Sequence, residues 1–295
     1  MALAMFGFLA NDTVVKFLTA DLDIGQILLV RGLFATTLVG LLAWNRGAFA
    51  QPSLALNPLV ALRAFSELGA TFLFLTALAN MPLGNITAVL QSLPLAVTMG
   101  AALFLGEPVG WRRWLAIIIG FCGVVLIVRP GLDGFNAYAV YALGSVFFCA
   151  VRDLATRRVP DEVPSLLIST VTSLLVTVFG GMLVFPLGGG WTPIGVSETG
   201  LLATASVLVL IGYQFIIKAV RIGDIAFVAP FRYTALLWGV VFGFAVFNEW
   251  PDAITLAGAA LVVGSGLYSL YRERRVGKTK PIAGSTGEAM APDGV

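Results

Sequence analysis

Residues 83–128 decide the fold; they read LGNITAVLQSLPLAVTMGAALFLGEPVGWRRWLAIIIGFCGVVLIV. Two apolar runs, each close to the roughly 20 residues that a helix needs to cross a bilayer, flank the turn Gly-Glu-Pro-Val-Gly at 106–110. Residues 223–270 repeat this pattern around Asn-Glu-Trp-Pro-Asp at 248–252. A helix–polar turn–helix unit that occurs twice, with a glutamate at each turn, predicts a duplicated membrane protein.

The composition of the chain points to the same class. Of 295 residues 58% are hydrophobic and only 12% are charged, which is too little charge to cover a soluble globule of this size. The chain has no histidine, which excludes His-based catalysis, the usual zinc sites and an imidazole proton relay. The two cysteines lie in apolar runs and give no disulfide framework. We therefore expect no enzyme, no cofactor and no metal site.

Apolar runs along the chain predict an all-α integral membrane fold with ten transmembrane helices. The expected spans are 1–19, 24–44, 58–78, 82–105, 111–128, 137–156, 164–186, 198–219, 225–247 and 253–271. Residues 272–295 turn basic and then rich in Gly, Ser and Pro, so a disordered tail is expected there.

An internal repeat organises these spans. A shift of 141 residues, without a gap, lays one half on the other: Asp12 on Asp153, Lys16 on Arg157, Asp21 on Glu162 and Gly40 on Gly181. With small adjustments Glu107 matches Glu249. Because five spans per half is an odd number, the halves must cross the membrane in opposite directions, the usual plan of secondary transporters. The domains expected are a first repeat at 1–130, a second, inverted repeat at 136–271, and the tail.

The distribution of basic residues predicts the orientation, because cytoplasmic connections are enriched in Lys and Arg. With the N-terminus inside, the external side holds only Lys16 and Arg129. The cytoplasmic connections and tail then hold the following residues: Arg46, Arg112, Arg113, Arg152, Arg157, Arg158, Lys218, Arg221, Arg272, Arg274, Arg275, Lys278 and Lys280. Both termini are therefore expected in the cytoplasm.

Three arginines that are not assigned to a connection lie within the spans, Arg31, Arg63 and Arg232, and Asp12 and Glu67 join them there. At about 1.5 Å per residue, Glu67 and Arg232 come close to the midplane of the membrane. A charge at this depth costs a few kcal/mol or more unless it is paired or hydrated, so it is a functional candidate by default. Arg63 and Glu67 are four apart and share a helix face, so a purely structural pair is the alternative. For Arg31 the structural interpretation is favoured.

Two prolines mark matching places in the halves. Pro94 interrupts the fourth span and Pro230 the ninth. Each removes a backbone hydrogen bond and kinks its helix. Breaks in matching repeat positions suggest hinges beside a binding site; static kinks filled by packing are the alternative.

These motifs resemble the drug/metabolite transporter superfamily, the type with two EamA domains. The resemblance covers about residues 1–271 and rests on three features: the Gly-Glu-Pro turn at 106–108 with its counterpart Glu249, the Gly/Ala-rich helix after each turn, and the opening AMFGFLAND at 4–12 followed by Lys16. The second turn departs from the pattern, because Asn248 replaces the glycine and no proline follows the glutamate directly. Within the superfamily the chain is most similar to the bacterial aromatic amino acid exporters. Other similar members are assigned to riboflavin or S-adenosylmethionine uptake.

The resemblance implies a central cavity lined mainly by spans 1, 3, 4, 6, 8 and 9, with spans 5 and 10 at the periphery. It places these residues near the path: Asn11, Asp12, Arg63, Glu67, Gln91, Tyr213, Gln214, Arg232 and Tyr233. Asp12 or Glu67 would meet an ammonium group and Arg63 or Arg232 a carboxylate. Pro94, Pro230, Glu107 and Glu249 would act as hinge or structural residues.

The expected function is export of amphipathic metabolites, aromatic amino acids foremost, from the bacterial cytoplasm by alternating access. Uptake of S-adenosylmethionine or riboflavin is an alternative, and a channel or structural membrane protein is an alternative of another class. The expected partners are the lipid bilayer of the inner membrane and a small-molecule substrate, without nucleic acid, and the chain is expected to be a monomer.

Overall fold

A computed structural model describes residues 1–130, 136–160, 162–185, 191–222 and 228–275. For several residues within 213–222 and for residues 273–275 it describes the backbone alone. All regular secondary structure among these residues is helical. They are α1 (Ala2–Leu18), α2 (Ile24–Asn45), α3 (Pro58–Asn80), α4 (Leu83–Leu90), α5 (Leu93–Phe104), α6 (Trp111–Val128), α7 (Tyr138–Thr156), α8 (Ser165–Val184), α9 (Val196–Ile222), α10 (Thr234–Phe247) and α11 (Ala253–Arg275), with short 3-10 helices at Pro52–Leu56 and Ala229–Tyr233.

The helices account for the predicted spans in chain order. Within the described residues, eight helical segments are long and apolar enough to cross a membrane; α4 and α5 together form one of them, Leu83–Phe104, and the second 3-10 helix continues into α10 to form another, Ala229–Phe247. The apolar part of α9, Val196–Gly212, is shorter, and α1 has 17 residues. The predicted all-α integral membrane fold is confirmed.

Local sequence signals set the helix ends. The Asp23 carboxylate accepts from the backbone N–H of Gly25 at 2.8 Å and begins α2. Asn57 does the same for Leu59 at 2.9 Å, with Pro58 at the first position of α3. Helices α6 and α10 end at Arg129 and Asn248, whose φ angles of 51° and 56° are left-handed, a common way to stop a helix.

The fourth span is broken where the sequence predicts it. Helix α4 ends at Leu90 and α5 begins at Leu93, and Pro94 lies in the first turn of α5. Pro230 lies in the 3-10 helix that leads into α10. Both prolines therefore stand at interruptions of regular helix, because neither can donate the hydrogen bond that would continue one.

Contacts between helices follow a pseudo-twofold pattern. With the spans numbered 1 to 10, α3 packs on α7 (3 with 6) and α1 on α9 (1 with 8), and adding or subtracting five converts one pair into the other. The pairs α2 with α8 (2 with 7) and α6 with α11 (5 with 10) convert into themselves. Thr36 and Thr177, which are 141 residues apart, share a hydrogen bond of 3.0 Å. Two inverted five-helix repeats produce this pattern.

Candidate functional site

A charged cavity lies between the two halves of the molecule. Its volume is about 140 Å³, and its lining comes from α2, α3, α7, α8 and α9. The polar part of the lining comprises Arg31, Arg63, Glu67, Thr71, Arg152, Ser169, Thr172, Ser173 and Ser206; the apolar part includes Leu28, Val39, Val176, Val209 and Leu210. Ligand pockets usually have roughly 300–1,000 Å³, so the helices must move apart before a metabolite fits.

Arg152 is the most enclosed charge of the cavity. Its Nη1 donates to Glu67 Oε2 at 2.8 Å, and its Nε donates to the adjacent Asp153 Oδ1 at 2.8 Å. The side chains of Arg152 and Asp153 are 3% and 1% exposed, whereas Glu67 keeps 23%. Two carboxylates thus hold one guanidinium, and this pairing lowers the cost of burying these charges. Glu67 is the member of the cluster that faces the open space.

Arg63 is held by hydroxyl groups of two other helices. Its Nε donates to Thr156 Oγ1 at 2.9 Å and its Nη1 to Thr172 Oγ1 at 3.0 Å. Its charge also acts on Glu67 one helical turn away. The sequence left open whether Arg63 and Glu67 form an isolated structural pair. In the structure both residues belong to a larger cluster, in which the direct ion-pair partner of Glu67 is Arg152.

Electrostatic interactions extend this cluster into both halves. The positive charge of Arg31 attracts the carboxylates of Asp12 in α1 and Glu67 in α3. In the second half, the carboxylate of Asp153 attracts the guanidinium of Arg232. The resulting network consists of Arg31, Arg63, Arg152 and Arg232 with Asp12, Glu67 and Asp153. Among the described members, cations exceed carboxylates by one (four minus three).

The residues that the sequence singled out are not all at the cavity. Arg63 and Glu67 line it. Asn11 is buried in α1 and donates to Asp12 at 2.9 Å, and Gln91 at the α4–α5 break donates to the Arg232 carbonyl at 3.3 Å. Tyr233 packs with Ala229 and Leu270, against Gly266 of α11. Tyr213 and Gln214 lie on α9, but their side chains are outside the described residues.

The lining helices also differ in part from those implied by the resemblance. Spans 3, 6 and 8 contribute as expected, and spans 5 and 10 stay outside. The described lining has spans 2 and 7 in place of 1, 4 and 9. The reason is geometric: α2 and α8 cross at the pseudo-twofold axis, where Gly32 lies directly against Thr177, so their polar faces close one side of the cavity.

Arg152 corrects the sequence interpretation. It was assigned to a cytoplasmic connection, but it lies inside α7 with 2% exposure and lines the cavity. A signal for it was present, because a shift of 141 residues lays Arg152 on Asn11, a member of the candidate set. Arg31, which was interpreted as structural, also lines the cavity.

Two further ion pairs lie at helix ends on opposite sides of the molecule. Lys16 Nζ, at the end of α1, donates to Glu249 at 2.7 and 2.9 Å and to the Met81 carbonyl at 2.6 Å. Glu249 Oε2 also accepts from the backbone N–H of Leu83, the first residue of α4, at 2.8 Å. One carboxylate therefore joins the ends of three spans and caps a helix N-terminus, where negative charge is favoured.

The second pair is the repeat equivalent of the first. Arg157, at the end of α7, donates to Glu107 Oε1 at 3.2 Å. Arg157 lies 141 residues after Lys16, and Glu249 lies 142 residues after Glu107. In each pair the first helix of one repeat is tied to the turn between the last two helices of the other. Since the repeats are inverted, the two pairs stand at opposite membrane faces.

Asp252 stabilises the turn between α10 and α11 that contains Glu249. It accepts a hydrogen bond from Arg129 and, through Oδ1, one from the backbone N–H of Thr255 at 3.0 Å. These bonds, that from Arg129 first, lower the pKa of the Asp252 carboxyl to about 2. The turn before α11 is thus tied to the end of α6 by a carboxylate that stays ionised in mild acid.

Inverted repeats around a small charged cavity are a common plan of membrane transporters. The particular family follows from the sequence: residues 1–129 and 136–271 match the EamA-like transporter family, so the chain belongs to that family within the drug/metabolite transporter superfamily. The chain is therefore a transporter and not an enzyme.

Relatives within this family carry different substrates. The chain is 34% identical over 205 residues to the riboflavin transporter of Vibrio cholerae serotype O1, covering 68% of this chain and 67% of that protein. It is 27% identical over 269 residues to the pseudopaline exporter CntI of Pseudomonas aeruginosa, with 88% and 91% coverage. It is 28% identical over 199 residues to an S-adenosylmethionine uptake transporter of Rickettsia conorii, with 66% and 65% coverage.

A solved crystal structure shares the fold. It superposes with a TM-score of 0.58 over 94% of this chain and 99% of its own, at 20% sequence identity. At that identity the likeness concerns the fold alone.

Proposed function

We propose that the chain exports zwitterionic, amphipathic metabolites, aromatic amino acids foremost, through the charged cavity. The observation that carries this proposal is the mixed charge of the lining, where Arg31, Arg63 and Arg152 stand around Glu67. A guanidinium is the best side-chain partner for a carboxylate. Glu67, which is the carboxylate most open to the cavity, would take the ammonium group.

The rest of the lining suits the remainder of such a substrate. Leu28, Val39 and Val176 add apolar surface to the lining of the same cavity. Ser169 and Ser173 add small hydroxyl-bearing side chains to it. A bulky apolar side chain attached to a zwitterionic head would match this combination, since ligand sites combine an apolar surface with a few placed polar groups.

Alternating access would use the two ion pairs at the ends of the molecule. The Lys16–Glu249 and Arg157–Glu107 pairs are both formed around a cavity too small for a metabolite. Breaking one pair while keeping the other would open the cavity to one side only. Pro94 and Pro230, at the interruptions of spans 4 and 9, would provide the hinges.

Two alternative substrates follow from the relatives. Riboflavin has no zwitterionic head, so it offers no ammonium group to Glu67 and no carboxylate to the arginines of the lining. S-adenosylmethionine has a zwitterionic end and in addition a sulfonium cation, and the one-charge excess of cations in the network disfavours a net positive ligand. Aromatic amino acids therefore stand first and S-adenosylmethionine second.

Purified protein in liposomes tests the proposal. We expect saturable uptake of labelled tryptophan and phenylalanine, accelerated by unlabelled amino acid on the opposite side, and a loss of about tenfold or more in the Glu67→Gln variant. Accelerated exchange separates a transporter from a channel. Uptake of S-adenosylmethionine or riboflavin without uptake of tryptophan would transfer the assignment to that relative's substrate.

The setting of this activity is part of the proposal. We place the chain in the bacterial inner membrane as a monomer with both termini in the cytoplasm. Residues 1–130 and 136–271 would act as the two moving repeats, and residues 272–295 as a basic cytoplasmic tail. The Arg157–Glu107 pair would then face the cytoplasm and the Lys16–Glu249 pair the outside.

A further inference from the structure

A second concave site lies on the outside of the helix bundle, between α6 and α11. This groove has a volume of about 420 Å³, three times that of the charged cavity. It is lined by Trp111, Arg112, Leu115, Ala116, Ile119, Ala260, Leu261, Gly264, Ser265 and Tyr268. None of these described residues belongs to the transport path or to the end ion pairs.

Helices α6 and α11 are in close contact, and the groove lies beside that contact on the exposed side of the pair. A Cβ atom at Gly258 would lie 2.6 Å from the Gly123 carbonyl oxygen, so the two backbones are in direct contact there. A Cβ atom at Gly120 would lie 2.6 Å from Ser265 Oγ, so the contact continues there, whereas a Cβ atom at Gly264 would meet no atom within 4 Å. The glycine at position 264 therefore leaves open space beside the contact of the two helices.

The body of the groove is apolar and faces the hydrocarbon of the bilayer. Leu115 is 48% exposed and Leu261 38% exposed, and Ile118 beside them is 56% exposed. In a membrane-spanning pair of helices such surfaces are covered by lipid chains. A flexible acyl chain fits a narrow groove of this kind and fills it without any polar partner.

One end of the groove carries a cation at the level where lipid headgroups lie. The Arg112 guanidinium stands 5.1 Å from the centre of the Trp111 ring, at the first turn of α6. Trp111 and Tyr268 are both exposed there, as is typical of aromatic residues at a membrane interface. Arg112 is the charged residue among the described lining residues. A phosphate is the complementary group.

We propose that this groove binds one anionic phospholipid, with an acyl chain along Leu115, Ile119 and Gly264 and the phosphate at Arg112. The lipid would fill the groove beside the contact of α6 with α11, the two peripheral spans that pack on each other. It would support the fold without entering the transport path. The proposal does not depend on the substrate of the transporter.

Native mass spectrometry of the delipidated full chain tests the site with dioleoyl phosphatidylglycerol and dioleoyl phosphatidylcholine as probes. We expect one tightly retained phosphatidylglycerol, populated about fivefold more than phosphatidylcholine at equal concentration, as one arginine at the surface implies. Arg112→Gln should remove most of this preference. Gly264→Leu should remove the retained lipid of either kind, because the new side chain occupies the groove.

Matched variants separate this effect from general damage. Gly200→Leu adds the same side chain on a different helix, α9, at a glycine where a Cβ atom also meets no atom within 4 Å, and Arg46→Gln removes another exposed arginine. Both should retain lipid as the wild type does. Equal retention of both phospholipids by the wild type, or unchanged retention by Gly264→Leu at a normal melting temperature, overturns the proposal. So does a dimer that Gly264→Leu dissociates, because the groove would then hold a second copy of the chain.

Discussion

Arg152 is held between Glu67 and Asp153 inside a membrane span, so its substitution tests the energetics of the cavity. Arg152→Gln leaves two buried carboxylates without their cation, and we expect it to destabilise the protein by about 3–5 kcal/mol. Glu67→Gln leaves Arg152 with Asp153, so its melting temperature should fall much less while transport is lost. Thermal unfolding measured beside flux per folded molecule distinguishes the two. A large stability loss in Glu67→Gln with normal flux would remove Glu67 from the path.

Asp252 predicts a specific response to acid. Its pKa is about 2 in the folded protein against 3.8 for the ordinary carboxyl, so its stabilising bonds are fully present above pH 3.8 and are lost as the pH falls toward 2. Asp252→Asn should therefore lower the melting temperature modestly by the same amount from pH 7 to about pH 4, and the difference should shrink below that. A difference that already disappears at pH 5 would show that Arg129 does not hold the carboxylate.

Sequence identified individual charges better than it identified their partners. Arg63 and Glu67 were found because a charge within an apolar run is costly wherever it points. Arg152 was missed because it stands only five residues before Arg157, near the end of a span, and so was counted with the connection. Hydroxyl residues such as Thr172 are uninformative in sequence, because most serines and threonines in membrane helices bond their own backbone. The contact of Tyr233 with Gly266 was likewise not predicted, because it joins residues of two different spans.

At the scale of elements, the two end ion pairs predict opposite effects of equivalent substitutions. Glu249→Gln should favour the conformation open on the outside, and Glu107→Gln the conformation open to the cytoplasm. Partly exposed pairs contribute about 0.2–1 kcal/mol, so each population should change by about 1.4-fold to fivefold.

A single cysteine at Ser173 reports these changes after Cys122→Ala and Cys149→Ala remove the native thiols. Its rate of reaction with a charged thiol reagent should rise from the outside in Glu249→Gln and from the inside in Glu107→Gln. Glu162→Gln, at an exposed glutamate, serves as the control. If both variants changed the rate from the same side, the pairs would not act as alternating closures.

Helices and their interruptions were largely predictable from sequence, whereas their packing was not. Apolar length fixes where a helix crosses the bilayer, and Pro94 fixes the break between α4 and α5, because both are local effects. The contact of α2 with α8 depends on Gly32 fitting against Thr177, a match between residues far apart in the chain. That contact decides which spans line the cavity, so the lining was predicted only in part.

At the scale of the whole molecule, the repeat joins the separate observations. The Thr36–Thr177 hydrogen bond and the Gln91 contact with the Arg232 carbonyl each link two positions that are 141 residues apart. The two end ion pairs are converted into each other by a shift of 141 or 142 residues. Equivalent residues on inverted repeats face opposite sides of the membrane. A transporter built in this way needs only one set of interactions to make both an inward and an outward closure.

The orientation of the whole molecule gives the last prediction. Arg152 must be removed from the count of cytoplasmic charges because it is buried in α7, but the remaining Lys and Arg residues still lie overwhelmingly on the side of the termini. Charges of short connections set topology as helices insert. A reporter active only in the cytoplasm should therefore work after Arg275, and one active only in the periplasm should work between residues 188 and 191. A fusion after Arg46 provides an internal cytoplasmic control. If each fusion were active only with the other type of reporter, the orientation would be the reverse of the one proposed. If both fusions were active with the same type of reporter, the number of spans in each repeat could not be odd.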